Sequence, residues 1–170
     1  MLGLGAAYDI IPAIQPLDLQ TARTGDYVSL KNARHVDIVI YKGVGTDGDD
    51  PVITVTQAQD VAGTAVKNLA VVTQYWEKEA ATDLTGTGTW TRVTQTASQD
   101  VAPGDPSAQY AAMYVIPIDA DQLDVDNGFD CIKVAVADTG TNAQLGCAFY
   151  ILSGLRFPDR PQSLPSSIAD

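Results

Sequence analysis

The sequence predicts an all-β protein, a β-sandwich of about eight strands wired as a jelly roll or Greek key, and three observations carry that expectation. Short runs rich in β-branched and aromatic residues recur along the chain with apolar side chains at alternating positions. Clusters of Gly, Pro, Asn and Asp separate the runs, and no stretch keeps a helical hydrophobic period for more than a turn or two. Composition agrees, since only 18% of the 170 residues are charged and 45% are hydrophobic. Thr, Ala, Val, Gly and Asp are prominent, a palette suited to strands and turns. The length fits one domain able to bury its own core.

Taken in order, residues 1–24 carry Pro12 and Pro16 and no regular alternation, so they read as an extended N-terminal arm outside the sheets. The arm is nonetheless apolar, with Ile10, Ile11, Pro12, Ile14, Leu17 and Leu19, more than a disordered terminus usually holds, which makes these residues candidate contacts to a partner. It has no basic leading region, and Asp9, Pro12 and Pro16 interrupt it before it could span a bilayer, so neither a signal nor an anchor is expected. Residues 25–154 form the predicted sandwich. Its clearest strand is HVDIVIYK, His35 to Lys42, with Val36, Ile38 and Ile40 on one face and Asp37, Val39 and Tyr41 on the other. DYVSLK from Asp26, VITVTQ from Val52, LAVVTQYWEK from Leu69, TWTRVTQ from Thr89, AMYVIPI from Ala112, CIKVAVA from Cys131 and LGCAFYILS from Leu145 complete the set. Residues 155–170 form a second proline-studded arm, in which Phe157, Pro158, Pro161 and Leu164 are the candidate contacts.

The stretch DADQLDVDNGFDC, Asp119 to Cys131, raises the question of calcium. An EF-hand needs oxygen ligands at loop positions 1, 3 and 5, glycine at 6 and glutamate at 12, between helices. Starting at Asp124 places Gly128 at position 5 and Phe129 at 6, starting at Asp119 places Leu123 at 5, and both flanks read as strands. The stretch is therefore an acidic connection, with one helical turn capped by Asp119 and a turn at Asn127-Gly128 into the next strand. A calcium site of another kind stays open as the alternative. Cys131 and Cys147 fall on what read as the two arms of one hairpin, with Asp138 facing Leu145. That register sets the cysteines several residues apart and on opposite faces, so two free thiols are expected, as suits a protein made in a reducing compartment.

A formal charge of −11 and a pI near 4.2 argue against nucleic acid or an anionic membrane as partner. The single histidine, His35, has no CxxC or HExxH around it, no GxSxG elbow is present, and the acidic pair Asp49-Asp50 sits beside Pro51 in a turn. The glycines of GVGTDG and TGTGTW lead into neither a helix nor a Lys-Ser/Thr pair, so no phosphate loop is implied. No enzyme and no cofactor are expected. Tyr75, Trp76 and Trp90 are either core aromatics or a platform for stacking sugars, and their exposure decides between the two.

The phrases DYVSLKNARHVDIVIYKG, DDPVITVTQAQDVAGTAVKNL, DVDNGFDCIKVAVAD, NAQLGCAFYILSGLRFP and LPSSIAD, in this order, resemble a family of small virion proteins of tailed bacteriophages of the head decoration or capsid cement type. The resemblance spans nearly the whole chain and brings no catalytic residues. It implies a structural protein assembled in the bacterial host cytoplasm and placed on the capsid exterior. Its partners there would be the major capsid protein and other copies of itself in a homo-oligomer, bound by multivalent contacts. The alternative is a carbohydrate-binding or adhesive β-sandwich of a head spike or tail, using Tyr75, Trp76, Trp90 and the acidic loops with calcium.

Overall fold

The structure, a computed structural model, describes residues 3–80, 85–86, 88–104, 109–157 and 166–168. Among the described residues twelve strands form two antiparallel sheets. They are β1 (Asp9–Asp18), β2 (Arg23–Thr24), β3 (Val28–Ser29), β4 (His35–Lys42), β5 (Ile53–Ala58), β6 (Lys67–Asn68), β7 (Val72–Glu79), β8 (Thr91–Ser98), β9 (Asp100–Val101), β10 (Ala112–Asp119), β11 (Cys131–Val136) and β12 (Leu145–Ser153). Sheet A runs β1-β12-β4-β10-β7-β8, and sheet B runs β2-β11-β5-β6, with β3 also on β11 and β9 also on β5.

The wiring is that of a jelly roll. If β2 and β3 count as two pieces of one strand, the chain passes from it to β4, β5 and β7, then β8, β9, β10 and β11. This lays β4-β10-β7-β8 in one sheet against β2/β3-β11-β5-β9 in the other. β12 and β1 then extend sheet A beyond β4. The alternation read from HVDIVIYK holds: Val36, Ile38 and Ile40 are buried, and with Tyr114, Ile116, Ile118, Tyr150 and Leu152 they meet Ile53, Val55, Ile132 and Val134 of sheet B in one core.

Three expectations change. Residues 9–18 are a strand of sheet A rather than an arm, because β1 pairs with β12 from Asp9↔Leu152 to Asp18↔Leu145. Register shifts between Pro12 and Ile14 and between Ile14 and Leu17 absorb the prolines and erase the alternation by which a strand is read. Cys131 and Cys147 do not share a hairpin, because β11 lies in sheet B and β12 in sheet A. Both flanks of β11 are already occupied, by β2/β3 and by β5, so the chain crosses the end of the sandwich instead. Asp18 and Leu19 pin that crossing through the Gln144 backbone and the Thr139 hydroxyl, and the Asp49 carboxylate holds Asn142. Neither cysteine forms a disulfide in this arrangement. DYVSLK keeps only Val28–Ser29 as strand.

The shortened strand leaves a gap in the ladder beside β11, and a side chain from the opposite sheet fills it. Tyr150 of β12 reaches across the core, accepts the Val134 N–H at 2.9 Å and donates to the Asp26 carbonyl at 3.1 Å. Burial raises its phenol pKa, so it stays a neutral donor and acceptor. Gly25 passes so close that a Cβ there would lie 3.0 Å from the Ala13 carbonyl and 3.2 Å from the Tyr150 hydroxyl. Among the described residues no helix is long and apolar enough to cross a membrane.

Candidate functional site: the outer face of sheet A

The acidic stretch forms two successive 3-10 turns, Ala120–Gln122 and Val125–Asn127, before β11. The Asp119 N–H donates to the Gln122 side chain at 2.8 Å, and Gly128 closes the second turn with φ of 79°, the left-handed conformation expected at Asn-Gly. The Asp124 carboxylate accepts bonds from the Lys67 ammonium and the Asn127 amide, which hold its pKa below the ordinary value. Lys67 also lies 3.9 Å from the Phe129 ring centre. His35 sits between two carboxylates, with Nδ1 2.7 Å from Asp119 and Nε2 3.2 Å from Asp37. Partial burial lowers its pKa, but the two hydrogen bonds and charges outweigh that and leave it raised. Among the described residues no cluster of His, Cys, Asp and Glu is placed to hold a metal ion.

The distinctive surface is the outer face of sheet A. Because side chains alternate along a strand, the partners of buried residues define the inner face and their neighbours the outer one. On the outer face one cross-strand row runs Pro12, Phe149, Val39, Val115, Trp76 and Arg92, each directly opposite the next on six successive strands. A second row holds Ile10, Ile151, Asp37 and Pro117, and a third Cys147, Tyr41, Met113 and Lys78. At about 4.8 Å between strands the central row is about 24 Å wide, and three rows about 7 Å apart span roughly 300 Å² at the backbone. Few of these residues are charged, whereas the outer face of a half-solvated antiparallel sheet is ordinarily polar. Ile10 is 42% exposed, Tyr41 37% and Trp76 39%.

Trp90, 44% exposed, stands just before β8 and divides two recesses on this face. One, of about 280 Å³, lies between Trp76, Trp90 and Val115. The other, of about 380 Å³, is lined by Trp90, Tyr41, Met113 and the Lys78 stem among others. The Lys78 ammonium is 5.8 Å from the Trp90 ring centre, so the indole keeps a cation at the rim. A larger recess of about 640 Å³ lies elsewhere, with Lys31, Arg34 and Arg156 on its walls and Lys31 paired to Asp130 at 3.6 Å.

The predicted contact residues divide. Ile10 and Pro12 lie on the outer face and Leu17 is exposed, but Ile11 packs against the core and Ile14 and Leu19 are part of it. Phe157 is exposed beside Arg156, whereas Pro158, Pro161 and Leu164 lie outside the described residues. Of the aromatics, Tyr75 is buried and Trp76 and Trp90 are exposed. Sequence reasoning missed Phe149, Val39, Val115 and Met113, although a signal was there: HVDIVIYK, AMYVIPI and LGCAFYILS are apolar at both odd and even positions, as strands covered on both faces are.

No protein-family model matches the chain, and no curated protein matches it. Among solved structures it is similar to the SPBc2 prophage-derived protein YomS, at 10% identity and a TM-score of 0.37, over 85% of this chain and 94% of that one. It is also similar to a chain of the T13 IBDV viral particle, at 11% identity and a TM-score of 0.23, over 94% of this chain and 42% of that one. Scores this low leave the reading of function to the surface itself.

Proposed function

We propose that this chain is a non-enzymatic structural protein of a tailed-phage virion that attaches to the capsid exterior by laying the outer face of sheet A on the major capsid protein. The observation that carries the reading is the in-register apolar row Pro12, Phe149, Val39, Val115 and Trp76, which a solvated sheet face has no reason to present. Its role is to join capsid subunits by many copies of a modest contact. The sequence resemblance to decoration and cement proteins supports the same reading, and the sheet face takes over the role first given to the arms. The net charge of −11 keeps the unattached protein soluble despite this surface.

The test is co-sedimentation of the purified protein with expanded empty capsids of the parent phage. Phe149→Glu, on the outer face, is expected to lower occupancy at least tenfold while leaving thermal stability within a few degrees. Occupancy equal to wild type would refute the docking face. A second reading, a sugar-binding sandwich, has one observation in its favour, the exposure of Trp76 and Trp90. Their shared recess is completed by Val115, which offers sugar hydroxyls no partner, so an apolar protein side chain fits it better. Quenching of tryptophan fluorescence by host polysaccharide, abolished in Trp76→Ala, would reverse the preference.

A further inference from the structure

Sheet edges present unpaired backbone groups, and this molecule blunts its edges unequally. The β1 edge carries Pro12 and Pro16 and two register shifts. The outer strands of sheet B, β2, β3, β6 and β9, have two residues each. β8 differs: it is eight residues long, contains no proline, is largely exposed, and among the described residues pairs with β7 alone. From Thr85 to Gln99 the sequence holds no Asp or Glu, with Arg92 as its one charge, in a chain of net charge −11. Two copies approaching edge to edge at β1 bring Asp9 and Asp18 together and at β9 Asp100, whereas at β8 no acidic residues meet.

We infer that β8 is a self-pairing edge, joining two copies of this chain antiparallel about a two-fold axis at Val93. The register follows from the two faces of the strand. Val93 faces Tyr75 on the inner side, while Arg92 faces Trp76 on the outer side. A continuous sheet must match inner with inner and outer with outer, so the axis passes through a residue; placed at Val93, within the regularly paired segment Thr91–Thr94, it sets Val93 against its own copy and Arg92 against Thr94 of the second copy. The alternative centred on Arg92 sets two guanidinium groups opposite each other and is disfavoured. Pairing is confined to the regular part of β8. Beyond Thr94 the strand bulges, since only Thr73 lies between the partners of Thr94 and Ser98, and the Gln95 amide pins the bulge to the Val72 and Asp100 carbonyls at 3.1 and 2.8 Å.

Joining two six-stranded sheets at this edge makes one continuous sheet and places both Trp76–Trp90 recesses beside the seam on the same side. A single outer face of roughly 300 Å² is well under the ~800 Å² that each partner contributes to a standard interface. Two faces fused in one plane double it. The pairing itself rests on edge geometry and charge, and only its consequence for attachment rests on the proposed function.

The experiment uses the full chain. Light scattering across a concentration series is expected to give a mass approaching twice 18.0 kDa, and hydrogen exchange is expected to show amides of Thr91–Gln95 gaining protection as concentration rises. In a Cys147→Ser background, Val93→Cys is expected to give a covalent dimer on mild oxidation, whereas Ala97→Cys, in the bulge, does not. A monomer at all concentrations, or a dimer whose β8 amides exchange as fast as in the monomer, would overturn the inference. Capsid binding by a monomer would overturn the edge pairing alone, and a dimer with no affinity for capsids would overturn the docking face alone.

Discussion

Replacing Tyr150 with Phe removes one oxygen atom from the core and leaves its shape nearly unchanged, so the loss of stability reads the hydrogen bonds of that atom. The Val134 N–H is fully buried and has the Tyr150 hydroxyl as its acceptor, while the Asp26 carbonyl is only partly buried. Water can reach the carbonyl in the variant. The amide has no such recourse, because the two-residue strands β2 and β3 stop on either side of it. An orphaned buried donor costs about 1–3 kcal/mol, so a loss of about 2 kcal/mol is expected. For a chain of this size that lowers Tm by about 4–8 °C. Urea denaturation followed by tryptophan fluorescence measures it, with Tyr41→Phe as the control, since Tyr41 lies on the exposed outer face and its loss is expected to change stability by less than about 0.5 kcal/mol. A Tyr150→Phe loss as small as the control's would refute the account of the hydroxyl as a substitute for a missing strand.

Three further expectations concern the turns and the titrating groups. Gly128→Val, forced into a left-handed conformation, is expected to cost about 1–3 kcal/mol in thermal melts, and the exposed Asp126→Ala under about 0.5 kcal/mol, with millimolar calcium moving neither. His35 has a raised folded pKa, so its stabilising contribution is complete below the ordinary value of 6.5 and lost as pH rises through the folded value. Melting profiles of His35→Gln against pH should lack that fall. Lys42 is buried, donates to the Tyr110 carbonyl at 2.6 Å, and has its pKa lowered from 10.5 to about 8 by burial against the opposing pull of Asp50 and Glu79. The folded protein therefore releases this proton first. Stability should rise by on the order of 3 kcal/mol between about pH 8 and 10.5 relative to Lys42→Met, and parallel profiles would contradict the assignment.

The fold class and most of the strands are legible in the residues alone. HVDIVIYK and LGCAFYILS match β4 and β12 end to end, and Asn127-Gly128 supplies the left-handed turn it promised, because alternation and turn chemistry are local properties. Pro12 and Pro16 hid β1, since a strand that bulges around prolines has no period to read. Which strands are neighbours is not legible there and emerges only in the folded molecule. The spacing of β11 and β12 suits a hairpin, yet β11 already has partners on both edges, and pairing is settled by competition among all strands for the same backbone groups. The candidate site depended on the same decision. Pro12, Phe149, Val39, Val115 and Trp76 come from five strands scattered from the start of the chain to its end, and only the sheet order places them in one row. Each strand's two-sided apolar character is written in its own residues, but what an apolar outer face amounts to depends on whether its neighbours in space are apolar too. That adjacency is a property of the assembled sheet.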